Sequence, residues 1–149
     1  MIKKLVAGIG LALSMVAAVA VAEAKAPKSQ RPVNVVIDIS SQSMAVRVNG
    51  WHYASWKVST ARSGYYTPRG NFGVQRMARV YFSRKYDNSP MPHSVFFRGG
   101  YAIHGTNAVK RLGSPASHGC VRLHPSNAAS LYSMIRQAGA KNTRIIITQ

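Results

Sequence analysis

The sequence predicts a mostly β domain, sandwich-like or barrel-like, with one clear amphipathic helix near residues 126–138. Three observations carry this. Short β-branched and aromatic runs recur along the chain, bounded by Pro, Gly, Asn and Ser. An Asn49-Gly50 pair joins two apolar runs, and both residues tolerate positive φ, which is what a two-residue hairpin demands. Ala128, Leu131, Tyr132 and Ile135 keep the i, i+3, i+4, i+7 spacing of a helix that buries one face.

Taken in order, the chain begins with Met1-Ile2-Lys3-Lys4, an apolar run from Leu5 to Val21, and Ala22-Glu23-Ala24. A positive start, an apolar middle and an A-x-A site predict a signal peptide over 1–24, removed after Ala24. An uncleaved anchor is the competing reading; the run's shortness and its small-residue end favour cleavage. The absence of a cysteine near Ala24 excludes a lipid-anchored mature start, and no later stretch is apolar enough to span a bilayer. The expectation is an exported protein with no stable membrane anchor. Residues 25–32 read as a basic linker with Pro27 and Pro32, and residues 33–149 as a single catalytic-sized domain.

Val33–Ile39 reads as a strand. Ser43–Val48 and the stretch from Trp51 to Ser59 form the hairpin around Asn49-Gly50. Trp51, Tyr53 and Trp56 suit core or cross-strand packing, the commoner role for such aromatics, ahead of a sugar platform. Thr60–Gly70 is a turn-rich loop, and Asn71–Phe82 resumes strand character. Ser83–His93 is a basic, proline-limited loop placed to overhang a cleft or simply to connect. Ser94–Arg98 and Tyr101–His104 are strands about a Gly99-Gly100 turn. Ser126 is the expected N-cap of the helix and Gly139 its C-terminal stop. Thr143–Thr148 closes the domain as a buried strand.

Charge narrows the chemistry. Lys and Arg number 20 against 3 acids, a formal charge of +17 that loss of residues 1–24 lowers by only one. Such an excess attracts polyanions. Export argues against nucleic acid and favours cell-wall polymers or lipid head groups. With Asp38 and Asp87 the only acids of the mature chain, a two-carboxylate glycosidase and a carboxylate-built Mg²⁺ or Ca²⁺ site are both poorly supplied. Catalysis falls to Cys, His, Ser and backbone groups, with no cofactor required.

Cys120 is the only cysteine. An unpaired thiol in an exported chain points to an intermolecular bridge or a reactive sulfur. It lies in Ser117-His118-Gly119-Cys120-Val121-Arg122-Leu123, downstream of Ala102-Ile103-His104-Gly105-Thr106-Asn107. A thiol nucleophile needs a base and an oxyanion site. His104 supplies the imidazole, and the Gly119 and Cys120 amides, with His118 next, are the expected oxyanion donors. The second His104 N–H needs an acceptor: a carbonyl near Gly105 or Thr106, the Ser117 hydroxyl, or Asn107. His104, His118, Cys120 and His124 form an alternative zinc-ligand set. A non-enzymatic cationic wall-binding protein is a third reading.

With these residues in place, the chain resembles the bacterial L,D-transpeptidase catalytic domain family. The match lies in His104-Gly105-Thr106, in Leu112-Gly113-Ser114-Pro115-Ala116 leading into the cysteine motif, and in Val58-Ser59-Thr60 and Thr67-Pro68-Arg69-Gly70, which resemble the substrate-side loop. The resemblance runs from about Val33 to Thr148. It implies a periplasmic enzyme acting on peptidoglycan stem peptides. Cys120 would attack the carbonyl before the terminal D-residue of a tetrapeptide, D-Ala would leave, and an amine would take the acyl group. That amine belongs to a second stem, a lipoprotein lysine or a D-amino acid; water would give a carboxypeptidase instead. His104 would be base and then acid. Arg122 either binds a stem carboxylate or braces the loop, and His118, Tyr66 and Arg69 are candidate substrate contacts.

Overall fold

A computed structural model describes residues 31–149; the predicted signal peptide (1–24) and all but the end of the 25–32 linker lie outside the described residues. Alternation along the first strand sets the architecture. In β1 (Val33–Asp38), Val33, Val35 and Ile37 are buried while Asn34, Val36 and Asp38 are half-buried on the other face. β2 (Ser43–Val48) pairs antiparallel with β1, burying Met44 and Val46 beside it. β3 (Trp51–Lys57) returns from the Asn49-Gly50 turn, where φ is +54° and +82°, the left-handed pair that the hairpin reading requires.

The last strand, β11 (Thr143–Thr148), inserts parallel to β1 on its other side, and β4 (Gly70–Gly73) pairs antiparallel with β11. The five-stranded order is therefore β3-β2-β1-β11-β4. The second sheet has the order β10-β9-β8-β5, from β5 (Arg76–Ala78), β8 (Ser94–Arg98), β9 (Tyr101–Gly105) and β10 (Val121–Leu123). Its β8–β9 hairpin turns at Gly99, φ +51°. The helix α1 (Pro125–Ala138) lies against β9, β8 and β1. It sends Ala128, Leu131 and Ile135 into a core shared by both sheets, which confirms the sandwich-like, mostly β class with one helix.

Several boundaries differ from expectation. The run from Asn71 to Phe82 is not one strand. It breaks at Val74-Gln75, where the Gln75 amide donates to the Phe96 carbonyl and the chain crosses from the first sheet to the second. The helix is capped by His124 rather than Ser126. The His124 ring nitrogen accepts from the Ser126 amide, and Pro125 occupies the first turn, where a missing N–H costs nothing. Gly139 ends the helix at φ +90°. β11 is central but buried on one face only, through Thr143, Ile145 and Ile147. Trp51 and Tyr53 are 79% and 57% exposed at the hairpin end, and only Trp56 packs against the core.

The Ser83–His93 loop contains a small ribbon of β6 (Phe82–Ser83) and β7 (Ser89–Pro90), turned at Asp87-Asn88 with positive φ. Beneath it, Met91, Phe96 and Ala102 form a second apolar cluster that also contacts Cys120.

Leu131 is 1% exposed at the centre of the helix–sheet contact. Leu131→Ala should cost about 2–5 kcal/mol in denaturant unfolding, whereas Trp51→Ala, at the exposed hairpin end, should cost under about 1 kcal/mol.

Candidate active site

Parallel pairing of β9 and β10 joins the two halves of the cysteine motif. The register sets Val121 opposite Ile103 and Arg122 opposite His104, so Cys120 enters β10 one residue ahead of that ladder. His104 is 6% exposed and Cys120 is partly exposed; both line one cavity of about 250 Å³, roofed by Tyr86, Ser89 and Pro90 of the ribbon. The Cys120 thiol points to the Gly100 carbonyl at 3.8 Å.

The His104 Nδ1 lies 2.7 Å from the Gly105 carbonyl. A carbonyl only accepts, so Nδ1 carries the hydrogen and the neutral ring keeps a lone pair on Nε2. Of the acceptors considered for this N–H, the structure places the Gly105 carbonyl against it. The Ser117 hydroxyl, another of them, is not its partner. It accepts from the Gly119 amide at 3.0 Å and donates to the Cys120 carbonyl at 2.6 Å, bracing the cysteine loop. Burial lowers the His104 pKa to about 4, against a smaller upward pull from the Gly105 carbonyl. Burial also raises the Cys120 thiol, with the Ala102 amide and Arg122 pulling it down. Thiol and imidazole are therefore both neutral at pH 7.

Glycine is obligatory at 119. Its φ is +131°, and a Cβ would lie 2.5 Å from Tyr101 Cε1 and 2.9 Å from the Tyr66 carbonyl oxygen. Because its amide is given to Ser117, Gly119 is not a free oxyanion donor, which corrects the sequence expectation. Thr67 holds the same loop from outside: its buried hydroxyl accepts from the Ala61 amide and donates to the Gly119 carbonyl at 2.9 Å. The neighbouring segment is pinned in turn. The Ala116 and Ser117 amides both donate to the Thr60 carbonyl, and the buried Gln42 amide group clasps Thr60 through its backbone N–H and its hydroxyl.

His118 lines the same cavity as Cys120. Its ring stacks on Tyr86 at 4.3 Å and meets the edge of Tyr65 at 4.7 Å. Arg62 Nη2 donates to its Nε2 at 2.8 Å. Burial and then the Arg62, Arg122 and Lys85 charges lower its pKa, so it too is neutral. Beyond this stack lies a second cavity of about 430 Å³, lined by Tyr65, Tyr66, Lys85, Tyr101 and, again, Cys120. Tyr66 is therefore at the site. Arg122 is half-buried, lines the first cavity and reaches the Ala116 carbonyl at 3.4 Å. Arg69 lines neither cavity. It donates to Gln149 at 2.6 Å, so the structure does not bring this expected substrate contact to the thiol.

Asn107 also lines the cavity, but the Gly105 carbonyl takes the His104 N–H. The zinc set does not assemble: His124 is spent on the helix cap, and among the described residues no three His, Cys, Asp or Glu side chains are grouped to hold a metal. Sequence reasoning missed Tyr86, Arg62 and Gln42 as individual residues, and it placed Thr67 only within the motif that resembles the substrate-side loop. Tyr86 has no motif of its own, though its loop, Ser83–His93, is one expected either to overhang a cleft or to connect.

Across residues 32–147 the chain matches the YkuD family, the L,D-transpeptidase catalytic domain. It is 27% identical over 127 residues to YqjB of Bacillus subtilis (strain 168), a protein to which L,D-transpeptidase activity is attributed, covering 76% of this chain and 70% of that one. A solved L,D-transpeptidase from Mycobacterium smegmatis superposes with a TM-score of 0.70 at 27% identity, over 80% of this chain and 59% of that chain. One from Xylanimonas cellulosilytica gives 0.68 at 26%, over 82% and 63%. The chain thus spans about three-fifths of the length of these solved relatives.

Two outcomes test the geometry. Gly119→Ala should lower stability by about 1–3 kcal/mol through its forbidden backbone and the Tyr101 contact, with thiol reactivity altered in the folded fraction. For His104 the folded pKa of about 4 lies below the ordinary 6.5. The folded state therefore binds fewer protons, and stability is lost as pH falls from about 6.5 towards 4, by up to about 3 kcal/mol. Urea midpoints at pH 7 and 4.5 should separate in the native chain and converge in His104→Gln.

Proposed function

Because the chain belongs to the L,D-transpeptidase catalytic domain family, we propose that it is an exported cysteine acyltransferase acting on peptidoglycan stem peptides. The observation that carries this reading is the pairing of Cys120 and His104 in one cavity, with the His104 Nδ1–H committed to the Gly105 carbonyl. That leaves Nε2 as the nitrogen able to take a proton. The export signal over 1–24 supports a periplasmic location.

In the proposed reaction, His104 Nε2 takes the thiol proton as the Cys120 sulfur attacks the carbonyl before the terminal D-residue of a tetrapeptide. The oxyanion forms against the Cys120 amide, with the His118 amide next to it; the Gly119 amide is engaged elsewhere. His104 then returns the proton to the departing amine, D-Ala leaves, and a thioester on Cys120 remains. An acceptor amine attacks that thioester and loses its proton to His104, which passes it to the departing Cys120 sulfur, so that the C–S bond breaks and the neutral thiol is restored. Thiol and imidazole begin neutral, so the thiolate is formed during the reaction and is not the resting state.

The two cavities that meet at Cys120 favour transfer over simple trimming, because they give donor and acceptor separate approaches to the sulfur. The acceptor is a second stem amine, a lipoprotein lysine or a D-amino acid. Water in its place makes the enzyme an L,D-carboxypeptidase.

Incubation with tetrapeptide muropeptides, followed by intact-protein and product mass spectrometry, tests the reading. The expected result is loss of D-Ala, a transient acyl adduct on Cys120, and no turnover in a folded Cys120→Ala protein. Full turnover in that variant overturns it. The pH dependence follows from His104. Protonation removes the base, so kcat/KM should be level from neutral pH down to about 5 and fall on an acid limb centred near pH 4.

A further inference from the structure

Away from the thiol, the outer face of the five-stranded sheet carries the largest open groove of those described, about 710 Å³, and it shares no lining residue with either cavity at Cys120. Its construction follows from strand register. Asn34 of β1 sits beside Arg144 of β11, which sits beside Gly73 of β4. One position along, Asn71 of β4 lies beside Ile146 of β11. Lys141 and Asn142, from the turn that feeds β11, close one end.

Gly73 leaves the groove open. A Cβ there would meet nothing within 4 Å. Arg47 of β2 extends the row past Asn34. The cations here have no acidic partner, since the acids of the described residues are Asp38, held by Ser40 and Ser41, and Asp87 at the ribbon tip. The Asn142 side chain donates once, to the Ala138 carbonyl, and keeps its oxygen available.

We propose that this groove is a second, non-catalytic site that binds an acidic glycan bearing acetamido or hydroxyl groups. Three asparagine amides offer paired donors and acceptors to such groups, and Lys141 and Arg144 offer charge to a carboxylate. A uniform polyanion would need only the cations; the amides set between them are what match a sugar. Pro32 lines the groove, and the residues before it, 25–31, do not complement it, because they carry Lys25, Lys28 and Arg31. The site would hold the enzyme to stem-free stretches of the wall glycan, where the lactyl carboxylates are free, beside the stems it processes. That purpose rests on the reading above, but the binding does not depend on Cys120.

The test uses the full chain and peptide-stripped glycan strands with free lactyl carboxylates, with polyphosphate as the sugar-free control. Gly73→Leu fills the groove without changing charge, and should weaken glycan binding at least about tenfold while leaving polyphosphate binding and stem-tetrapeptide turnover unchanged. Lys141→Glu with Arg144→Glu should weaken glycan binding by about tenfold or more. The charge-matched pair Arg79→Glu with Arg136→Glu, beside α1, should change it less than about threefold. Thermal unfolding of each variant checks that it is folded. Wild-type glycan binding by folded Gly73→Leu, equal losses in the two charge-reversed pairs, or no saturable binding by the native chain would each overturn the proposal. Failure of the acyl-transfer reading would appear separately, in the turnover assay.

Discussion

The parallel pairing of β9 with β10 is the constraint on which the site depends. Three residues of ladder align two segments that the sequence separates by a long crossover, and that alignment alone brings imidazole and thiol to one cavity. So short a ladder needs outside support. Backbone bridges from Ser59 to Arg122 and from Ala61 to Ser117 run a third segment along the cysteine loop. Gln42 holds that segment at Thr60, and Thr67 ties its Ala61 amide to the Gly119 carbonyl. Each of these groups is satisfied where water cannot reach, so the loop has few alternative arrangements.

The same packing sets the electrostatics. A carboxylate behind His104 would raise its proton affinity and stabilise the imidazolium. The chain uses a backbone carbonyl instead, which fixes the tautomer without adding charge. Buried, with the Arg122 charge adding to the effect, the ring stays neutral, and burial keeps the thiol neutral too.

The sequence was most informative where one residue type has one physical use. Asn49-Gly50 gave its hairpin, Gly139 its helix stop, and the spacing of Ala128, Leu131 and Ile135 gave the helix face. Cys120, His104 and Gly105 were legible because a reactive thiol, its base and an orienting carbonyl form a recognisable set. What stayed hidden depends on tertiary placement. Ser117 turned from His104 towards its own loop, Gly119 lost its amide to that serine, and Arg69 reached the C-terminal residue instead of the cavity. His124 displaced Ser126 as the cap because Pro125 fixes the first turn one residue earlier. Tyr86 joined the site only because a two-residue ribbon folds over the thiol, and nothing local distinguishes it from any loop tyrosine.

The position of β11 has a consequence for how the chain is made. The last strand lies at the centre of its sheet, between β1 and β4, and not at an edge. As the polypeptide is made, Val35 and Ile37 have no parallel neighbour until residues 143–148 arrive. Contacts of such high sequence separation form late. The domain is therefore poorly able to complete itself prematurely. Until β11 is made, the five-stranded sheet lacks the strand that joins β1 to β4.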